Sequence, residues 1–449
     1  MGAKVWGTAA VVIAAAAAAG AGIITWEGRV WDEHAQDLAS YKEAPVKTVI
    51  FTETARTWRT RAFTVEVELL NGLKMVWQGG AEFGLGTKTK ASLDLTQGIG
   101  AQIAADKSVE GFGDELVIET SMTGTVKPVV WRLNPITYRA PENAFVCQAE
   151  VASITGEKIG QDIVARFVLG GWSCRTAEEI AANAPSTESM KDLRAEIRVG
   201  EKPIADFTFT SGPFVSGELS GDGTRAAFIS ARSAGPAPEG KDGKAAQRWD
   251  ERVELSVTNP KAGGESASEI GLDLTITNLS EAFLTELQTA TQETAVNPDA
   301  AFRVLGIWSR AFTKDGIALN LTDARYVRGK DAAHLKGAFA YKAADPNAQG
   351  QELARGASWG SFELAIPQAL IAKQTAAVYT ASGDLRLIDG VYQSKLEIFE
   401  NACFVNGNYK GNPIALLSLF LRLQQKTVIE SGSIKDSDRF FFETNTADI

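Results

Sequence analysis

The sequence predicts a mainly β (α+β) chain: a large antiparallel sheet body with signs of internal repetition and a few packed helices, plus one N-terminal transmembrane helix. Three observations carry this. An uncharged, mostly apolar run of 22 residues lies near the start, apolar residues alternate with polar ones at period two in segment after segment, and glycine-rich breaks separate those segments.

The uncharged run is Val5 to Trp26. At ~1.5 Å per helical residue it reaches roughly 33 Å, enough for a hydrocarbon core of about 30 Å. Trp6 and Trp26 sit where interfacial aromatics belong. A cleaved signal peptide is the competing reading, with small-residue positions at Ala17 to Ala21, but hydrophobicity continues past them. Lys4 and the amino terminus precede the span and Glu27, Arg29, Asp32 and Glu33 follow it, a weak N-terminal positive bias that orients the body away from the cytoplasm. Ile414 to Leu423 is too short to span and reads as a buried C-terminal helix.

Residues 1–26 are therefore the expected anchor and 27–45 a membrane-proximal helix that Pro45 ends. Residues 46–231 form the first part of the β body, 232–248 a loop or divider rich in Pro, Gly and Lys, and 249–449 the second part with helices. Phe63 to Leu69 puts four apolar side chains on one strand face and Thr64, Glu66 and Glu68 on the other. The same rhythm recurs in Ile204 to Phe209, Val253 to Val257, Leu272 to Ile276, Ile317 to Leu321, Phe362 to Ile366 and Leu396 to Ile398. Alternation of this kind describes antiparallel strands with one buried face, since strands buried on both faces read as continuous apolar runs. Turns are expected at Gly79-Gly80, Gly170-Gly171, Gly221 to Gly223 and Gly263-Gly264. Helices are expected over Leu279 to Gln292, capped by Asn278 or Ser280, over Ala300 to Phe312, and over Gln368 to Tyr379. A strand-then-helix pattern occurs from Gly271 and again from Ser361, and Glu142 to Cys147 echoes Glu400 to Val405.

Chemistry is sparse. The chain carries 55 Asp+Glu against 45 Lys+Arg, an acidic balance that makes nucleic acid a poor partner. Its 2 His leave little for a metal site or a His-based triad. Gly356 to Gly360 (GASWG) matches the G-x-S-x-G nucleophile elbow, but no histidine follows Ser358 and the next segment reads as a strand. His34 falls close to the membrane and His334 in a polar KDAAHLKG stretch that reads as a solvated loop. Gly84/Gly86, Gly98/Gly100 and Gly111/Gly113 lack the third glycine and helix start of a phosphate cradle. Asp114-Glu115 and Glu178-Glu179 supply carboxylates without a recognisable acid/base pair. The tryptophans Trp58, Trp77, Trp131, Trp172, Trp249, Trp308 and Trp359 are spaced as core residues. No catalytic, cofactor-binding or metal-binding residue is assigned, and no cofactor.

Of the three cysteines, Cys147 and Cys174 are the pair favoured by proximity as a disulfide, with Cys403 left over. Buried free thiols are the alternative, and spacing alone does not choose among three pairings.

The single N-terminal span, the Thr54 to Glu68 segment (TARTWRTRAFTVEVE) and the Lys395 to Pro413 segment with Val405-Asn406-Gly407 resemble the YdgA-like family of bacterial membrane-anchored periplasmic proteins of unknown function. That resemblance implies an inner-membrane, single-pass protein with a sheet-rich periplasmic body, and it carries over no catalytic residue. The expected function is that of a non-enzymatic envelope binding or structural protein, contacting the inner membrane through its helix and taking a lipid or protein partner, with no nucleic acid. The alternative is a periplasmic hydrolase using Ser358 or a carboxylate pair.

Overall fold

The computed structural model describes residues 46–57, 60–69, 72–83, 86–121, 127–141, 144–200, 202, 205–233, 247–294, 303–304, 307, 311, 316–343, 356–400 and 402–411. The chain is mainly β, a large antiparallel sheet with few helices. Two compact units divide it: residues 1–311 with 321–332, and residues 312–320 with 333–449. The anchor, the membrane-proximal helix and the C-terminal apolar run lie outside the described residues, and no helix among the described residues is long and apolar enough to cross a membrane.

In the first unit β1 (Val46–Arg56), β2 (Thr60–Leu69), β3 (Lys74–Phe83) and β4 (Gly86–Leu93) run up and down beside one another. Helix α1 (Gly98–Ala105) follows, then β5 (Val109–Glu110), β6 (Asp114–Ser121), β7 (Val129–Leu133), β8 (Ile136–Arg139), β9 (Phe145–Ala149), β10 (Ala152–Ile159) and β11 (Asp162–Thr176). After α2 (Ala177–Ala181) come β12 (Glu188–Val199), β13 (Asp206–Ser211), β14 (Phe214–Ser216), β15 (Leu219–Gly221) and β16 (Gly223–Arg232). β17 (Arg248–Thr258), β18 (Lys261–Ala262), β19 (Glu265–Ser266), β20 (Glu269–Ser280) and α3 (Glu281–Thr294) complete the series.

The main sheet has the order β1, β2, β3, β4, β6, β7, β10, β11, β12, β13, β16, β17, β20, with every neighbour antiparallel. Two side ribbons lengthen it. β9, joined to β8 and β5, continues along β11 where β10 stops, and β14, joined to β15, β18 and β19, continues along β12 where β13 stops. Next in the chain is β21 (Ala318–Arg328), whose Val327 carbonyl accepts the Ser268 amide.

The second unit holds β22 (Asp331–Ala343) from Ala333 onward, β23 (Gly356–Pro367), α4 (Lys373–Ala381), β24 (Arg386–Ile388), β25 (Val391–Phe399), β26 (Ala402–Val405) and β27 (Asn408–Gly411). β23 lies between β22 and β25, and β25 also pairs with β24 and β26.

The alternating segments form strands for the expected reason: in β2, Phe63, Val65, Val67 and Leu69 are buried while the residues between them are not. Gly263-Gly264, Asp389-Gly390 and Asn406-Gly407 each place two successive residues at positive φ, the backbone that a two-residue hairpin turn needs. Two expected turns are instead strand interiors. Gly79-Gly80 lies inside β3, where a Cβ on Gly79 would stand 2.7 Å from the Phe63 ring and 2.5 Å from the Lys90 carbonyl oxygen, so the glycine makes room for a neighbour. Gly170-Gly171 lies inside β11, where its partner changes from β10 to β9.

The helix expected from Leu279 starts at Glu281, because β20 runs on to Ser280, whose hydroxyl accepts the Phe283 amide at 3.1 Å. The helix expected from Gln368 divides into a 3-10 turn, Gln368–Leu370, and α4. Most of Ala300 to Phe312 lies outside the described residues. Residues 232–248, of which 234–246 lie outside the described residues, join β16 to β17, which pair from Gly223↔Thr258 to Arg232↔Trp249. His334 sits within β22, opposite Ala365, and not in a loop.

Candidate functional site

Residues directly opposite one another in an antiparallel pair share a face, so the register alone assigns the two faces of the first unit's sheet. One face is apolar from strand to strand. It begins with Val49, Val67, Met75 and Leu93, and passes through Ile118 and Val129 on β6 and β7. It continues as two rows across the later strands. One row is Ala165, Ile197, Phe207, Phe228, Val253 and Leu274, and the other is Phe167, Ala195, Phe209, Ala226, Leu255 and Leu272.

The opposite face carries charge. Lys88 pairs with Glu119 at 3.1 Å, Lys74 with Glu66 at 2.9 Å, Arg166 with Glu196 at 2.8 Å and also with Glu157, and Arg252 with Asp273 at 2.8 Å and Glu254 at 2.9 Å. Exposed pairs of this kind each add only about 0–1 kcal/mol. Their consequence is wetness: this face cannot become the inner face of a second apolar layer.

The apolar face changes along the sheet. Over β1 to β7 it is sealed, with Val67, Leu69, Met75, Trp77, Ile118 and Val129 buried beneath Ile99 and Ile103 of α1 and Phe112 of the following loop. Over β11 to β20 neither row contains a fully buried side chain. Phe228 is 37% exposed and Leu255 40%, and the flanking Val199 and Ile270 are 48% and 45% exposed. Over β10 to β12 the same face carries a second small core, with Ala152, Leu169 and Leu193 buried and Phe167 and Phe209 packed against it, so the half-open strip is the part over β16 to β20.

The strip ends in polar groups. One step beyond Phe228 and Val253, the next paired positions are Ser230 and Glu251. Ser230 is buried and its hydroxyl donates to the Glu251 carboxylate. The Ser230 amide donates to Asp206 at 2.9 Å, and Lys202 closes on the other Asp206 oxygen at 2.6 Å. Burial pushes the Glu251 carboxyl above the usual range, and the nearby Asp206 charge adds to this. One position further lies Trp249, 5% exposed, whose indole N–H is buried with no partner among the described residues. A sequence signal for this cluster exists in β17: Trp249, Val253, Leu255 and Val257 occupy alternate positions, and Glu251 interrupts them.

The other candidates lie elsewhere. Ser358 is buried within β23, opposite Tyr341, with eight further strand residues before Pro367 ends the element. A nucleophile elbow needs a sharp strand-to-helix turn, so GASWG is not one. Gly98 and Gly100 do open a helix, α1, contrary to the expectation, but a Cβ on Gly100 would collide with the Asp94 carbonyl, so backbone fills that space. Asp114 and Glu115 point to opposite faces: Asp114 accepts the Leu93 amide at 2.9 Å and the Trp131 indole N–H at 2.9 Å, and Glu115 pairs with Lys90. Glu179 is the N3 residue of a capping box with Thr176 that starts α2, and it also accepts the Thr187 amide. Neither adjacent carboxylate pair forms a dyad. Cys147 and Cys174 occupy directly paired positions of β9 and β11 and are disulfide-bonded, while Cys403 is a buried free thiol. Trp77, Trp131 and Trp249 are core residues, and Trp58 and Trp308 lie outside the described residues. No group of three or more His, Cys, Asp or Glu among the described residues could hold a metal ion.

Comparisons with protein-family models, with curated proteins and with solved structures found no match to this chain.

Proposed function

We propose that this chain is a non-enzymatic protein of the bacterial cell envelope, anchored in the inner membrane by residues 5–26 with its sheet body in the periplasm, and that the half-open strip over β16 to β20 holds lipid acyl chains. The observation that carries this reading is the largely apolar face, sealed over β1 to β7 and again over β10 to β12, and half-open over β16 to β20. An exposed contiguous apolar surface marks a binding site more often than an accident of packing. Lipid is favoured over a protein partner because the twelve positions of the two rows offer only aliphatic groups and Phe, without the Tyr, Trp, Met and Arg in which protein interfaces are enriched. The uncharged N-terminal run and the resemblance to the YdgA-like family support the address.

The test is photolabelling of the full-length protein in membranes with a phospholipid carrying a diazirine in its acyl chain, followed by peptide mapping. The expected result is adducts on β16, β17 and β20. Labelling confined to residues 1–45 would overturn the reading.

A further inference from the structure

The end of the open strip has one donor and one acceptor left over. The Trp249 indole N–H is buried and unpartnered, and Glu251 uses one carboxylate oxygen for Ser230 while the other has no partner among the described residues. Both residues are on the apolar face, two positions apart on β17, so their Cα atoms are separated by about 6–7 Å. An unpaired buried N–H asks for an acceptor, and a carboxylate oxygen asks for a donor. Lys202 pairs with Asp206 at 2.6 Å; its charge also favours the Glu251 carboxylate, offsetting the Asp206 charge, but it makes no ion pair with Glu251, which keeps its own negative charge to offer.

From this we infer that the lipid on the strip is a zwitterionic phospholipid with a primary ammonium in its headgroup. The ammonium lies against Glu251, a phosphate or ester oxygen accepts the Trp249 N–H, and the acyl chains run over Phe228, Val253 and Leu255. This inference rests on the lipid-holding reading and narrows it. The charges decide the class: an anionic headgroup without an ammonium would leave Glu251 facing like charge, with Asp206 behind it. A headgroup combining acceptor and cation satisfies both leftover groups, and charge-assisted hydrogen bonds are the stronger kind.

The experiment uses full-length protein in detergent micelles and two diazirine-acyl phospholipids that differ only in headgroup, ethanolamine or glycerol. Adducts are counted on peptides of β16, β17 and β20. The wild type is expected to label about five-fold more with the ethanolamine probe, the ratio of one modest charge-assisted contact. Glu251→Gln keeps an acceptor for Ser230 and is expected to bring the two probes level. Trp249→Phe keeps the ring and is expected to reduce both equally. Equal labelling by the two probes in the wild type, a preference for glycerol, or a preference that survives in Glu251→Gln would each overturn the headgroup assignment while leaving the lipid reading intact. No adduct on these strands from either probe would overturn both. Circular dichroism melts of the variants separate a lost contact from a lost fold.

Discussion

On the sheet face that carries the two apolar rows, Ser230 donates its hydroxyl to Glu251 from the directly paired position. Burial raises the folded-state pKa of Glu251 above its unfolded value. The sign follows: this carboxyl is unpenalised below the unfolded value of about 4.5 and costs stability as pH rises through the folded one. Glu251→Gln therefore raises the denaturant midpoint at pH 8 and leaves it nearly unchanged at pH 4. Urea titrations of both proteins at the two pH values check this, and equal shifts at both would refute it.

Asp114 is the opposite case in its consequences. It also sits partly buried with a raised pKa, yet it satisfies the Leu93 amide and the Trp131 indole N–H. Asp114→Ala strands two donors in the interior and is expected to cost about 2–3 kcal/mol, and Asp114→Asn, which keeps an acceptor, less than half of that. Equilibrium unfolding by urea measures the difference.

Gly79 is required by packing. A Cβ there would meet the Lys90 carbonyl, the Phe63 ring and the Ala91 Cβ, all within 2.8 Å. Gly79→Ala should cost about 1–3 kcal/mol, and Gly79→Ala combined with Phe63→Leu should recover part of that. Thermal melts of the single and double variants decide it.

The cysteines give a thiol count. With Cys147 bonded to Cys174 across 27 residues of sequence, the native protein has one free thiol, Cys403, buried and with its pKa pushed up by burial. Maleimide should add no mass to folded protein and one adduct after unfolding without reductant. Replacing Cys147 and Cys174 by Ser should cost about 3–4 kcal/mol on the chain-entropy account.

Much of the architecture is legible in residues such as Phe63, Val65 and Val67, because period two is the geometry of a strand and depends on nothing distant. Gly79 and Gly170 mislead for the opposite reason. Their cause lies across the sheet, in the Phe63 ring and in the change of partner along β11, and a linear reading assigns both glycines to turns. The end of α3 nearest β20 shifts by two residues because Ser280 serves as both last strand residue and cap. The Ser230, Glu251 and Trp249 cluster is half legible: Glu251 breaks an apolar alternation, but only the β16–β17 register brings Ser230 to it. The contrast between sealed and open halves of one face is a property of what covers it, and alternation is the same in both.

The most direct test of the lipid-holding strip sets Phe228 against Ile229. These neighbours on β16 are equally exposed, 37% each, but face opposite sides of the sheet. A photoreactive phenylalanine analogue placed at one or the other position in the full-length protein, irradiated in native membranes and read by mass spectrometry, should give phospholipid adducts at position 228 and none at 229. Adducts at both positions alike, or at neither, would contradict the account.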